Sequence, residues 1–242
     1  MQIRAWNITD VGCVRRQNED ACYTQTGPEL ALGIVCDGMG GANAGEVASQ
    51  LAIEAFSRVV QTGGAPPEEL MRRGLEQANR EVYCYGWEHP DCRGMGTTLA
   101  AAMVLEDMAY LLNVGDSRVY VLCGQNIRQI TRDHSLVEEL VQAGQITREE
   151  ARTHPRKNII TRALGTERHV TGDLYLHHII PGELLLLCSD GLCNELTDKE
   201  MLDLIRKGPL EGGCQRLLEA ALLRGAHDNV TAVLMQLGVA SA

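Results

Sequence analysis

The stretch TTLAAAMVLEDMAYLLNVGDSRVYVLCGQNIRQI, residues 97–130, decides the fold class. It holds four apolar runs of strand length: Thr97 to Leu105, Met108 to Val114, Ser117 to Cys123, and Ile127 to Ile130. Between them stand three tight turns, Glu106-Asp107, Gly115-Asp116 and Gly124-Gln125. Parallel strands need a long crossover, whereas antiparallel strands can be joined by two residues, so this meander predicts antiparallel hairpins.

Working outward, Ile3 to Thr9 and Ala21 to Thr24 read as short strands around the polar loop RRQNED, and Leu30 to Cys36 as a buried strand stopped by Asp37-Gly38. Glycines 38, 40 and 41 then supply a turn. From Gly45 to about Val60 the positions Val47, Ala48, Leu51, Ala52, Ala55, Phe56 and Val59 recur at helical spacing, and a second helix follows from Pro66 or Pro67 to about Tyr85. Residues 135–171 form a polar excursion with a short helix (Leu136 to Ala143), a turn at Gly144 and the segment THPRKN; a long insertion between strands usually serves function, here as a flap. Strands at Leu174 to Ile179 and Leu184 to Cys188, helices at Asp198 to Lys207 and about Leu210 to Arg224, and a strand at Val230 to Leu237 complete the chain. Runs of strands with paired helices between them predict an α+β architecture, a sandwich of two antiparallel sheets flanked by helices on both faces. The expected organisation is one domain over residues 1–242, with the flap at about 135–172.

With 242 residues, 45% apolar and 22% charged, the chain can bury a core without staples, although aromatics are only 4% and the core must rest on aliphatic side chains. A net charge of −10 argues against nucleic acid or anionic membrane as partner, since no phosphate-neutralising surface is implied. Nine scattered cysteines without C-x-x-C spacing read as reduced thiols. The start MQIRAWNITDVG lacks a signal-peptide h-region and no apolar stretch is long enough to span a bilayer, so a cytoplasmic location is expected.

Four times an apolar run meets a small-residue turn carrying an aspartate: ALGIVCDGMGG at Asp37, LLNVGDSR at Asp116, LLLLCSDG at Asp190 and AHDNVTAVLMQ at Asp228. Any one alone is most simply a turn former or helix cap. Repeated at strand ends, where they cost β-propensity, they suggest carboxylates converging on one polar spot. Such groups repel unless a cation neutralises them, and a hard divalent ion with oxygen ligands, Mn²⁺ or Mg²⁺, suits the donors.

In order along almost the whole chain stand TDVGCVRRQNEDA, VCDGMGG, GMGTTL, NVGDSRVY, DHSLVEELVQAGQI, HPRKNIITRALG, LLCSDGL and HDNVTAVL. Together they resemble the signature of the metal-dependent serine/threonine protein phosphatases, the protein phosphatase 2C family, in its bacterial single-domain form. The resemblance implies the same sandwich, with two Mn²⁺ or Mg²⁺ ions per chain at one end and a weaker third. It makes Asp37 the bridge between two metals, the carbonyl of Gly38 a further ligand, and Asp190 and Asp228 the rest of the first metal's shell. By the same resemblance Glu19 and Asp20 serve the metals directly or through water, and Asp116 with Asp190 holds the third ion. Arg15, four residues before Glu19, falls where the family's arginine grips the substrate phosphate, a planar fork suited to bidentate contact.

The implied reaction is hydrolysis of phosphoserine and phosphothreonine on proteins by water activated between two metals roughly 3.5–4 Å apart. The implied partners are phosphoprotein substrates and a bacterial serine/threonine kinase whose action is reversed, with the chain working as a monomer. Two departures stand out. Met39 occupies the position where many eukaryotic members carry a histidine proposed as general acid, which leaves metal-bound water or His154 of the flap; Asn194 replaces an acidic residue frequent in eukaryotic relatives. A phosphatase-like regulator that binds phosphoproteins without turnover is the competing reading, and it would require a broken metal set.

Overall fold

The computed structural model describes residues 2–40 and 44–239; Gly41 of the turn named above lies outside the described residues. In chain order the strands and helices are β1 (Gln2–Asp10), β2 (Asp20–Thr26), β3 (Leu30–Met39), α1 (Ala44–Thr62), α2 (Pro67–Glu88), β4 (Gly96–Thr97), β5 (Leu99–Leu105), β6 (Met108–Val114), β7 (Arg118–Cys123) and β8 (Asn126–Gln129). They continue as α3 (Leu136–Gln142), α4 (Arg148–Thr153), β9 (Asp173–His178), β10 (Leu184–Cys188), α5 (Asp190–Glu195), α6 (Asp198–Arg206), α7 (Gly213–Leu223) and β11 (Val230–Val239). One sheet has the order β1-β11-β10-β7-β8 and the other β2-β3-β5-β6-β9, with β4 added to β3; the pairings are antiparallel.

Alternation along the strands builds three apolar layers, because successive side chains of a strand point to opposite faces. On β3, Ala31 and Val35 face the partner sheet, where they join Val119, Leu187 and Val233. Leu32, Ile34 and Cys36 face the other way, onto Ala48, Ala52 and Phe56 of α1 and Met71 and Leu75 of α2. On the opposite outer face Leu184, Leu186 and Leu234 pack under α5, α6 and α7 through Leu192, Ile205 and Leu217. Gly74 is required where α2 crosses α1: a Cβ there would lie 2.9 Å from the Phe56 ring.

Two local readings need correction. Gly115-Asp116 is not a hairpin turn. β6 pairs with β5 and β9, and β7 with β10 and β8, so this link carries the chain from one sheet to the other. A two-residue turn has the same local chemistry in both cases, and only long-range pairing separates them. Second, β3 does not stop before Asp37 but runs on to Met39, because Asp37 pairs with Asp20 and Gly38 with Thr97. The DGLCNE segment after Ser189, for which no element is expected above, is a short helix, α5.

Candidate metal and phosphate site

Antiparallel register gathers the site at one end of the sandwich. β3 leaves its sheet beside the start of β2, with Asp20 directly opposite Asp37. β10 ends at Cys188, opposite both Arg118 at the start of β7 and Ala232 near the start of β11. Asp116 at the sheet crossing, Asp190 after β10 and Asp228 before β11 are thus delivered to the same rim. The end of β3 is held firmly there: the Asp37 N–H donates to Thr98 Oγ1 at 2.8 Å, and its carbonyl accepts from the Thr98 N–H and from Thr97 Oγ1, both at 2.9 Å. Thr98 in turn shares a 2.7 Å hydrogen bond with Ser117 of the crossing.

A cavity of about 280 Å³ results, lined by Arg15, Glu19, Asp37, Gly38, Asp116, Asp190 and Asp228, together with Met39, Asn158, Ile160 and Asn229 among others. Asp20 is not among the lining residues; paired with Asp37 across β2 and β3, it is only 7% exposed, its Oδ2 accepting from Ser189 Oγ at 2.7 Å. Arg15 is the cation inside: its Nη2 reaches Asp228 Oδ2 at 2.8 Å, which raises its own pKa. At Gly38 a Cβ would come 2.0 Å from the Gly45 carbonyl oxygen and 2.5 Å from that of Glu19, so only glycine lets these three backbones meet.

The electrostatics are those of crowded acids. Burial pushes Asp20 up to about 7 and Asp190 to about 6, each also opposed by Asp228. Burial, then Asp20, Asp190, Asp116 and Asp228, holds Asp37 well above the carboxylate range, and burial with Asp190 does the same for Asp116. Glu19 is raised, chiefly by burial. Arg118 and Lys157 pull Asp190 down, and Arg118 also Asp116, yet these cations with Arg15 leave the acids raised, so at neutral pH the arrangement calls for added positive charge.

The donor set fits a hard divalent cation. Asp20 Oδ1 and Asp190 Oδ1 are buried without a hydrogen-bond partner, although buried carboxylate oxygens are ordinarily satisfied. Some of the remaining oxygens have turned to protein donors: Asp228 to Arg15 and the Asn229 N–H, Asp190 Oδ2 to Asn194. Among the described residues no three acidic, histidine or cysteine side chains already stand as a closed metal-binding group. They face a common cavity, and rotation of side chains away from these donors is what ion capture would require.

Every site residue expected from the sequence comes to this rim. His154 does not line the cavity, and its Nδ1 accepts from the Arg156 N–H at 3.1 Å. Three contributors went unread. Asn229, 5% exposed, donates through Nδ2 to the carbonyls of Val11 and Gln17 and accepts the Glu19 N–H at 2.8 Å, tying the Arg15–Glu19 loop to Asp228. His134 accepts the Gly115 N–H on Nδ1 at 3.1 Å and donates its backbone N–H to the Gly115 carbonyl at 2.9 Å, fixing the residue before Asp116. Ser189 links Asp20 to β11 by accepting the Thr231 N–H. The HDN and DHS segments mark two of these positions, but polar side chains that hold backbone carry no periodicity.

Known proteins resemble this chain over nearly its whole length. The profile of the family described as "Protein phosphatase 2C" matches residues 15–234. The serine/threonine phosphatase stp of Listeria welshimeri is 39% identical over 235 residues, covering 94% of this chain and 93% of its own. The crystal structure of the serine/threonine phosphatase Stp1 from Staphylococcus aureus superposes with a TM-score of 0.91 at 38% identity, over 99% of this chain and 96% of that one. The catalytic domain of the serine threonine protein phosphatase PstP, solved in complex with 2 manganese ions, gives a TM-score of 0.88 at 35% identity, over 97% and 98% of the two chains.

Proposed function

The chain belongs to the protein phosphatase 2C family, and on that premise we propose that it hydrolyses phosphoserine and phosphothreonine on proteins, with two Mn²⁺ or Mg²⁺ ions and a weaker third. The observation that carries this reading is the meeting of Asp37, Asp116, Asp190, Asp228 and Glu19 with Arg15 in one cavity. Asp37, Asp190, Asp228 and the Gly38 carbonyl would hold the principal ions, Glu19 and Asp20 would support them directly or through water, and Asp116 with Asp190 would serve the third. Bound there, the ions supply Lewis acidity that makes water a nucleophile near neutral pH and neutralises charge building on the phosphoryl oxygens.

The chain's own residues do the rest. Arg15 releases Asp228 and grips two phosphoryl oxygens of the substrate, setting phosphorus in line for attack. Asn229 keeps the Arg15 loop in register with Asp228 while this happens. The P–O bond to the serine or threonine oxygen breaks as the bond from water forms, and inorganic phosphate leaves. Met39 has no proton to give and His154 lies off the cavity, so the departing oxygen takes its proton from water in the pocket.

The 135–172 segment contributes Asn158 and Ile160 to the cavity rim and acts as the flap of a single catalytic domain. Among the described residues no helix is long and apolar enough to cross a membrane. The enzyme works in the cytoplasm as a monomer and reverses a bacterial serine/threonine kinase. Purified protein with Mn²⁺ should release phosphate from a phosphothreonine peptide and lose that activity with chelator. A protein that binds the ions yet turns over neither this peptide nor para-nitrophenyl phosphate would defeat the proposal.

A further inference from the structure

The catalytic cavity does not end at Met39. Met39 and Ile160 also line a second depression, of about 420 Å³, floored by Ala163 and Thr166. His169 and Val170 carry that depression into a third, of about 920 Å³, between α2 and the segment after Ala163. Each neighbouring pair shares lining residues, so the three depressions lie in a row from the acidic site to α2, a path called the furrow below.

The far end differs in charge from the rest of this acidic chain. On α2 the positions Arg73, Gln77, Arg80 and Cys84 recur at helical spacing and present one face to the furrow; Arg168 and His169 close it from the opposite bank. Arg73 is paired with Glu69. Arg80 is hydrogen-bonded to neutral Gln77, and among the described residues Arg168 has no carboxylate partner. Glu76 is the acid lining this end.

The bank carrying Arg168 is built rather than draped. Asn79, 2% exposed on the inner side of α2, donates from Nδ2 to the carbonyls of Glu167 and Arg168, both at 3.1 Å, and accepts the Gly165 N–H at 2.9 Å. Gly165 has φ +81°, and a Cβ there would strike Val82 at 2.2 Å, so the loop can lie this close to α2 only with glycine. A buried amide with its hydrogen bonds made holds the Arg168 backbone rigid while its guanidinium stays exposed and uncommitted.

We propose that the polypeptide flanking the phosphorylated residue lies along this furrow, and that Arg80 and Arg168 select substrates carrying acidic side chains on that flank. The proposal rests on the phosphatase reading and adds the sequence context the enzyme prefers. The arginines suit carboxylates because their exposed guanidiniums offer paired donors and, among the described residues, neither is ion-paired within the chain, although Glu76 and Glu167 line the furrow beside them.

The test uses phosphothreonine peptides of one core sequence with a neutral flank, an acidic N-terminal flank or an acidic C-terminal flank. Exposed ion pairs are individually weak, so two of them should favour one acidic peptide over the neutral one by roughly fivefold in kcat/KM, through KM, and less at high salt. In the double variant R80A/R168A the preference should vanish, while para-nitrophenyl phosphate and the neutral peptide are hydrolysed at the parent rate. Arg168→Glu should invert it. Equal use of all three peptides by the parent, or a preference that survives the double substitution, overturns the proposal. Fluorescence anisotropy of the same labelled peptides reads the preference without turnover. If no substrate is hydrolysed the phosphatase reading alone is struck, and the binding data still decide this one.

Discussion

Asn229→Ala should damage both stability and catalysis, and its size follows from three contacts. The side chain is 5% exposed and makes bonds of 2.9 Å to the Val11 carbonyl, 2.9 Å to the Gln17 carbonyl and 2.8 Å from the Glu19 N–H. Each such bond contributes about 1 kcal/mol net, and alanine replaces none of the three, so the loss should be about 3 kcal/mol. In a chain of this size that corresponds to roughly 6–12 °C in melting temperature. The same contacts hold the Arg15–Glu19 loop against Asp228, and misplacing a positioning group by about 1 Å can cost up to about a hundredfold in rate. Thermal melts of the metal-free protein, together with Mn²⁺-supported hydrolysis of para-nitrophenyl phosphate below both transitions, measure the two effects. Asn229→Asp keeps the acceptor for Glu19 but loses the donor and adds a charge to a crowded acidic site, so it should do no better than alanine. A melting temperature within about 2 °C of the parent would refute the stability estimate. Lost stability with unchanged kcat/KM would show that the loop does not depend on Asn229.

Three further outcomes follow from the same geometry. Mn²⁺ at a hundredfold excess over its dissociation constant should add about 2.7 kcal/mol to the parent, a shift of roughly 5–11 °C; Asp37→Asn should lose most of it, yet melt no lower than the parent without metal, because the amide removes a repelled charge. Equal shifts in parent and variant would remove Asp37 from the ion site. Burial lowers the pKa of His134 from its ordinary 6.5, against the opposing pull of Asp173, so folding favours the neutral ring that accepts the Gly115 N–H. The stability it lends is present above the unfolded value and is lost as pH falls from 6.5 downward, and His134→Asn, whose amide oxygen accepts at any pH, should flatten that decline in a melting series. A parallel decline in both proteins would assign the acid sensitivity elsewhere. His154→Gln should keep kcat on a phosphopeptide within about twofold, since loss of a true general acid costs about a hundredfold or more; a loss of that size would restore His154 as the proton donor.

Local chemistry determined much of this molecule. Alternating apolar runs bounded by Gly-Asp and Glu-Asp pairs determined short antiparallel strands, and the spacing of Ala48, Ala52, Ala55 and Phe56 determined a helix with one buried face. Asp37, Asp116, Asp190 and Asp228 were legible because the same placement, an acid after an apolar run, recurs four times, where any one alone would read as a turn former or cap. Tertiary structure alone decided that Gly115-Asp116 crosses between sheets, since a tight turn does not reveal which strand the next one will pair with. It alone gave Asn229, His134 and Asn79 their work, because each binds backbone from a segment distant in sequence, and hydrogen bonds of that kind leave no pattern in the chain until folding brings both partners together.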